Sequence, residues 1–171
     1  MITPGAVQSV YNQYLTAAQN GMPATTAGWD VDTRICEDLS SPRVGIGFGL
    51  AVSQGTLHGD RSATLGNASG ANFVGVTMAD PTLPNLGSDV GVGVDKYADG
   101  DNMAVLVRGD IWVVVENNVA PGNEVYYNTT TGQLGATSGG HTAIPSARWM
   151  TTATTGNLAV LRLGQSAGNT P

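Results

Sequence analysis

The chain has 171 residues and a formal net charge of −6, with only 12% charged residues, against a usual share of about 25%. Seven Lys and Arg in total exclude a reader of nucleic-acid backbones, which needs cations to neutralise phosphates, and argue against an anionic membrane surface. One lysine and 24 glycines exclude a helical bundle, whose surfaces are built from strong helix formers such as Glu, Lys and Ala.

Residues 1–32 form an arm. Val7, Val10, Tyr11, Tyr14, Leu15 and Ala18 recur at helical spacing and fit a short amphipathic helix over 7–19. Gly21-Met22-Pro23 stops it. Thr25 to Asp32 then reads as extended or irregular. The β-domain follows over 33–165. Val44, Ile46, Phe48, Leu50 and Val52 alternate with Gly45, Gly47, Gly49, Ala51 and Ser53, which predicts a strand with one bulky and one bare face. The bare face calls for a bend, or for something packed close to the backbone. Val90–Val94 repeats the pattern. Further strands are predicted at Phe73–Met78, Met103–Arg108, Ile111–Glu116, Glu124–Asn128, Gln133–Ala136, Pro145–Thr151 and Leu158–Leu163.

The turn residues fit this plan. Gly109-Asp110 predicts a two-residue hairpin, Pro121-Gly122 a type II turn, and Thr129–Gly132 a longer hairpin loop. Residues 166–171 read as a loose tail. About ten short strands with no helix between them predict an all-β fold, a sandwich or barrel with an N-terminal arm.

Catalytic chemistry finds little to stand on. The longest apolar runs, Met103–Val107 and Ile111–Val115, are far short of the roughly 20 residues of a membrane span. Met1–Pro4 has none of the basic and apolar stretches of a signal peptide. One cysteine, Cys36, forbids an internal disulfide and reads as a small packing residue. His58 and His141 sit alone in loops, short of the three or four converging ligands of a zinc site. Asp95, Asp99 and Asp101 miss the spacing of a calcium loop and read as turn formers. The expectation is therefore no catalytic residue, no metal and no cofactor. The aromatic residues stand out instead. If Ile111, Val113 and Val115 face the core, Trp112 faces away from it; Tyr126 and Tyr127 take opposite faces. Tyr11, Tyr14 and Trp29, on the arm, need a surface to pack on.

Several segments, in order, resemble the structural cement, or capsid decoration, proteins of tailed bacteriophages. They are Gly21-Met22 with its linker to Asp30–Arg34, then Gly47–Val52, Phe73–Met78 and the Val105–Val115 stretch. Ala120–Asn128 with its Pro-Gly turn follows, and then Thr131-Gly132-Gln133-Leu134. The likeness runs from residue 20 to 163. It departs from the family pattern at Asn123, where Asp is common, and at Leu50, where a polar residue is common. The resemblance implies an all-β jelly-roll or barrel with no enzyme activity. It further implies an oligomer on the outer surface of the virion capsid, assembled in the host cytoplasm, that clamps neighbouring major capsid protein subunits; closed symmetry favours a dimer or trimer. On that footing Tyr11, Tyr14, Met22, Trp29, Trp112 and Tyr126 are the expected capsid or inter-subunit contacts. The alternative is a carbohydrate- or receptor-binding β-module of a phage tail or surface protein, with Trp112, Tyr126 and Trp149 as a sugar platform.

Overall fold

The structure, a computed structural model, describes residues 18–25, 28–65, 73–80 and 96–164. The described residues form strands, turns and loops, with no helix among them, and none therefore offers a helix long and apolar enough to cross a membrane. The strands are β1 (Asp30–Glu37), β2 (Ile46–Gly47), β3 (Ala51–Gln54), β4 (Ser62–Thr64), β5 (Phe73–Thr77), β6 (Lys96–Tyr97), β7 (Asn102–Val114), β8 (Tyr126–Tyr127), β9 (Leu134–Gly135), β10 (Thr142–Ala143), β11 (Arg148–Trp149) and β12 (Leu158–Leu163).

Five strands close a barrel. β1 pairs parallel with β4. β4 pairs antiparallel with β3, β3 with β5, β5 with β7, and β7 returns to β1. Closure leaves no open edge in this ring, which removes the commonest route to strand-mediated aggregation. β12 then pairs with the second half of β7, and β11 with β12. β10, β8 and β9 make a separate three-stranded sheet, and β2 with β6 a short ribbon. The fold is all-β, as expected.

Two cores result. Cys36, Ile46, Val52, Ala63, Tyr97, Met103 and Val105 fill one. The second joins the outer side of the barrel to the remaining sheets: Val76, Leu106, Ile111, Val113, Val115, Tyr127, Leu134, Trp149 and Leu161 all lie in it. β7 serves both. Met103 and Val105 face the first core, whereas Leu106 and then Ile111 and Val113 face the second. The alternation therefore slips by one residue between them. The slip is a β-bulge: Val31 lies opposite Leu106 and Asp30 opposite Arg108, so Val107 has no partner.

This corrects the expected hairpin at Gly109-Asp110. The two expected strands are one strand of 13 residues, bent at the bulge. Gly109, at φ +128°, accommodates the bend, and it also gives room for Trp29, with which a side chain at 109 would collide. The expected strand over 44–53 is likewise broken, because Phe48-Gly49 makes a turn between β2 and β3. Gly49 has φ +68° and abuts the Asn20 amide closely enough that any side chain there would clash. At this position the bare face does have close company. Most of β1, and β4, β6 and β10, were not anticipated. The expected strand at Val90–Val94, and the expected helix apart from Ala18 and Gln19, lie outside the described residues.

Both Pro-Gly and Thr-Gly signals meet their expected turns. Asn123 N–H donates to Ala120 C=O across Pro121-Gly122 at 3.1 Å. Asn128 caps the β8–β9 loop through its side chain to the N–H groups of Thr130 and Thr131.

Candidate functional site

Residues 20–24 lie along the second half of β7. Trp112 N–H donates to Met22 C=O and Ala24 N–H to Asp110 C=O, both at 2.8 Å, and Pro23 bridges Ile111 antiparallel. Asn20 fastens this segment from both sides of its amide. Its Oδ1 accepts from Val114 N–H at 2.9 Å, and its Nδ2 donates to Phe48 C=O at 2.6 Å.

The result is a surface made by the 20–24 segment and the strands β7, β12 and β11, in that order. Because Ile111, Val113, Leu161 and Trp149 point into the core, their sequence neighbours point out. Register then aligns them in two cross-strand rows. In the first, Met22 lies opposite Trp112, Trp112 opposite Val160, and Val160 opposite Met150. In the second, Ala24 lies opposite Asp110, Asp110 opposite Arg162, and Arg162 opposite Arg148. One row is apolar and the next is charged. Leu158 and Val114, also opposite each other, extend the apolar side. Met22, Val114 and Met150 are exposed although large and apolar, and so are Trp29, Val31 and Val107 around the bulge.

The charged row is organised by Asp110, which is buried. Arg162 grips it with both arms of its guanidinium, Nε to Oδ1 at 2.7 Å and Nη2 to Oδ2 at 2.8 Å. That bidentate bond raises the Arg162 pKa further. Arg162, Asp110 and Arg108 line an open cleft of about 340 Å3, together with Thr25, Gly28 and Gly164. Arg108 lies 3.8 Å from Asp30. Arg148 is exposed and gives an N–H to its neighbour's carbonyl, that of Ala147.

Other polar clusters hold loops. Asp38 accepts from Ser40 N–H and Oγ and from the N–H groups of Val44 and Gly45. Burial opposes its ionisation, but these donors outweigh it and keep its pKa low. Asp99 receives Asp38 N–H and pairs with Arg43 and His58. Glu37 is buried and accepts two loop N–H groups, from Thr56 and Leu57. His141 bridges Gly139 C=O and Glu116, at 2.7 Å each, so it is a clip rather than a free loop residue. Among the described residues no group of three or more His, Cys, Asp or Glu is placed to hold a metal ion. Cys36 is fully buried, and desolvation pushes its thiol up to about 12, which makes it unreactive at neutral pH.

The structure brings Met22 and Trp112 into direct apposition and sets Trp29 against Gly109 on the same strand. Tyr126 is elsewhere, on β8, where its hydroxyl donates to Glu124 at 2.6 Å. Tyr11 and Tyr14 lie outside the described residues. Trp149, named for the sugar platform, is fully buried with its indole N–H on Gly135 C=O; it cannot stack a ligand. Sequence reasoning missed Met150, Val160, Arg148 and Arg162. Their strands and alternation were legible, but the register that puts them beside Trp112 was not.

A family model described as structural cement protein (E217 gp24/Pam3 gp6) matches residues 7–164. The chain belongs to this family and is a phage capsid-associated structural protein. Among solved structures it is similar to a chain in the capsid of Myoviridae phage XM1, with TM-score 0.68 and 15% identity over 94% of this chain and 98% of that one. That likeness shows a shared fold. A fainter one, to the head fiber gp8.5 N base of bacteriophage phi29, has TM-score 0.43 and 16% identity over 81% and 97% of the two chains; it is too distant to argue from. No curated protein sequence matches the chain.

Proposed function

We propose that the protein binds the outer surface of the assembled phage head and clamps neighbouring major capsid protein subunits as a dimer or trimer, without enzymatic activity. Family membership supports the capsid setting. The observation that carries the docking role is the outward face built by Met22, Trp112, Val160 and Met150. The row is drawn from three strands and the 20–24 segment: Met22 and Met150 at its ends are exposed, Trp112 is half-buried, and Val160 is buried between Trp112 and Met150. Interfaces enrich aromatic residues, Met and Arg at their centres, and a staple needs contact area rather than chemistry. Repeated on a symmetric lattice, modest contacts gain by avidity.

Trp29, Val31 and Val107 at the bulge extend the same contact region. Tyr11 and Tyr14 belong to the arm that leads into it, and in this reading they reach a neighbouring subunit. Tyr126 remains a contact for a second neighbour.

The test is electron microscopy of purified heads with and without the protein, with Trp112→Asp as the matched variant. Added density across subunit boundaries on the outer surface is expected for the wild type. Occupancy should fall at least several-fold for the variant while its circular dichroism stays the same. Density on tails, or inside the shell, would overturn the reading.

A further inference from the structure

The charge on the docking face differs from the charge on the rest of the chain. Arg108, Arg148 and Arg162 are three of the seven basic residues. They gather at one face with two carboxylates, Asp30 and Asp110, so the described residues of that face carry an excess of one positive charge in a chain of net −6. Of the four other cations, Arg34 and Arg61 pair with Asp32 and Arg43 with Asp99, while Lys96 donates to Val44 C=O. Arg148 has no such partner: among the described residues no carboxylate lies within ion-pairing distance of it. It stands directly opposite Arg162 in the strand register, and Arg162 is already engaged with the buried Asp110 of β7.

This arrangement leaves one cation's worth of carboxylate binding unfilled at the edge of an apolar row. Strand addition is not available as the mode of contact. The second half of β7 already has β12 on one side and residues 22–24 on the other, and β11 is bonded to Gly122 and Asn123 along its outer side. An occupant must therefore meet the side chains face-on.

We propose that this face takes a carboxylate-bearing, apolar-flanked segment of the major capsid protein. An Asp or Glu of that segment seats on Arg148, beside Arg162, and its apolar neighbours cover Trp112, Met22 and Met150. Arg–carboxylate bonds are charge-assisted and directional, so the pair fixes register while the apolar row supplies contact area. The inference rests on the proposed capsid-binding role and names the chemistry of the partner.

The experiment measures co-sedimentation of the full chain with purified heads that lack it, for wild type, Arg148→Glu, Arg148→Gln and Lys96→Glu. Lys96→Glu makes the same charge change outside this face. Expected are a loss of about tenfold or more for Arg148→Glu, because like charges would then face each other, a smaller loss for Arg148→Gln, and unchanged binding for Lys96→Glu. Wild-type binding should weaken as salt rises from about 50 to about 300 mM. If Arg148→Glu binds like a wild type that saturates the heads, the carboxylate partner is wrong and the cement role stands. An equal loss in Lys96→Glu reduces the effect to general charge and also overturns it. A wild type that fails to bind heads overturns the role and the proposal together. Should Arg148→Glu instead change the oligomer size in sedimentation, the occupant is a second copy and the capsid partner is wrong. Circular dichroism guards against misfolding, and Arg148→Gln, uncharged and exposed, carries the test if the reversal does not fold.

Discussion

His141 and Trp149 show how far a residue's surroundings decide its role. In sequence His141 follows two glycines and looks solvated. In the fold both ring nitrogens meet acceptors, Gly139 C=O and the Glu116 carboxylate, and the Gly139 bond and then Glu116 raise its pKa above 6.5 although burial works against them. A folded pKa above the unfolded one means that the stabilisation is full below about 6.5 and is lost as pH rises through the folded value. His141→Gln should therefore cost about 0.5 kcal/mol at pH 5.5, in the range of exposed pairs, and almost nothing at pH 8.5; paired urea titrations at the two pH values measure it. Trp149 is the opposite case, fully buried with its N–H satisfied. Trp149→Ala should lose about 3–5 kcal/mol through lost contacts and a cavity, read as a lower thermal midpoint.

β7 is the element on which the fold turns. The short apolar runs over 103–107 and 111–115 were readable as strand on both sides, and Gly109-Asp110 then looked like a hairpin because a Gly-first pair is a turn signal. The same residue types also suit a bulge. Only the partners distinguish the two: β1 and β5 on the first half, β12 and residues 22–24 on the second. A substitution separates them. Gly109→Val meets both a positive φ and Trp29, so it should destabilise by about 2 kcal/mol or more and should disturb the Trp29 side of the docking region as well, seen as a changed tryptophan fluorescence spectrum. A hairpin turn open to solvent would not couple to Trp29. Asn20→Ala tests the neighbouring element. It removes an acceptor for Val114 N–H and a donor to Phe48 C=O, costing about 1–2 kcal/mol. Residues 18–24 should become cleavable by protease while the barrel stays resistant.

At the scale of the molecule, two cores share one strand. Met103 and Val105 belong to the first, Leu106, Ile111 and Val113 to the second. Neither core can be lost without releasing β7 from the other, so one cooperative transition is expected, with equal calorimetric and van't Hoff enthalpies. Met103→Ala and Trp149→Ala, placed in different cores, should lower the same midpoint. Two separate transitions would show that the barrel folds independently of the outer sheets.

The all-β class was legible in the order of residues alone, from period-two alternation with Gly, Thr and Asn at turns and almost no helix-favouring surface. The Pro-Gly and Thr-Gly turns were legible too, as was the placing of Trp112 on the side of its strand opposite Ile111, Val113 and Val115, because these depend on residues near one another in the chain; whether that side met solvent or a second sheet was not. The order of segments was enough to resemble the cement family. Barrel closure, the bulge in β7 and the rows that set Met22, Trp112, Val160 and Met150 beside Arg162 and Arg148 were decided only in the tertiary structure. These depend on register between strands as far apart as residues 22 and 112. Register is chosen by which faces can be buried together over the whole molecule, and no local pattern encodes it.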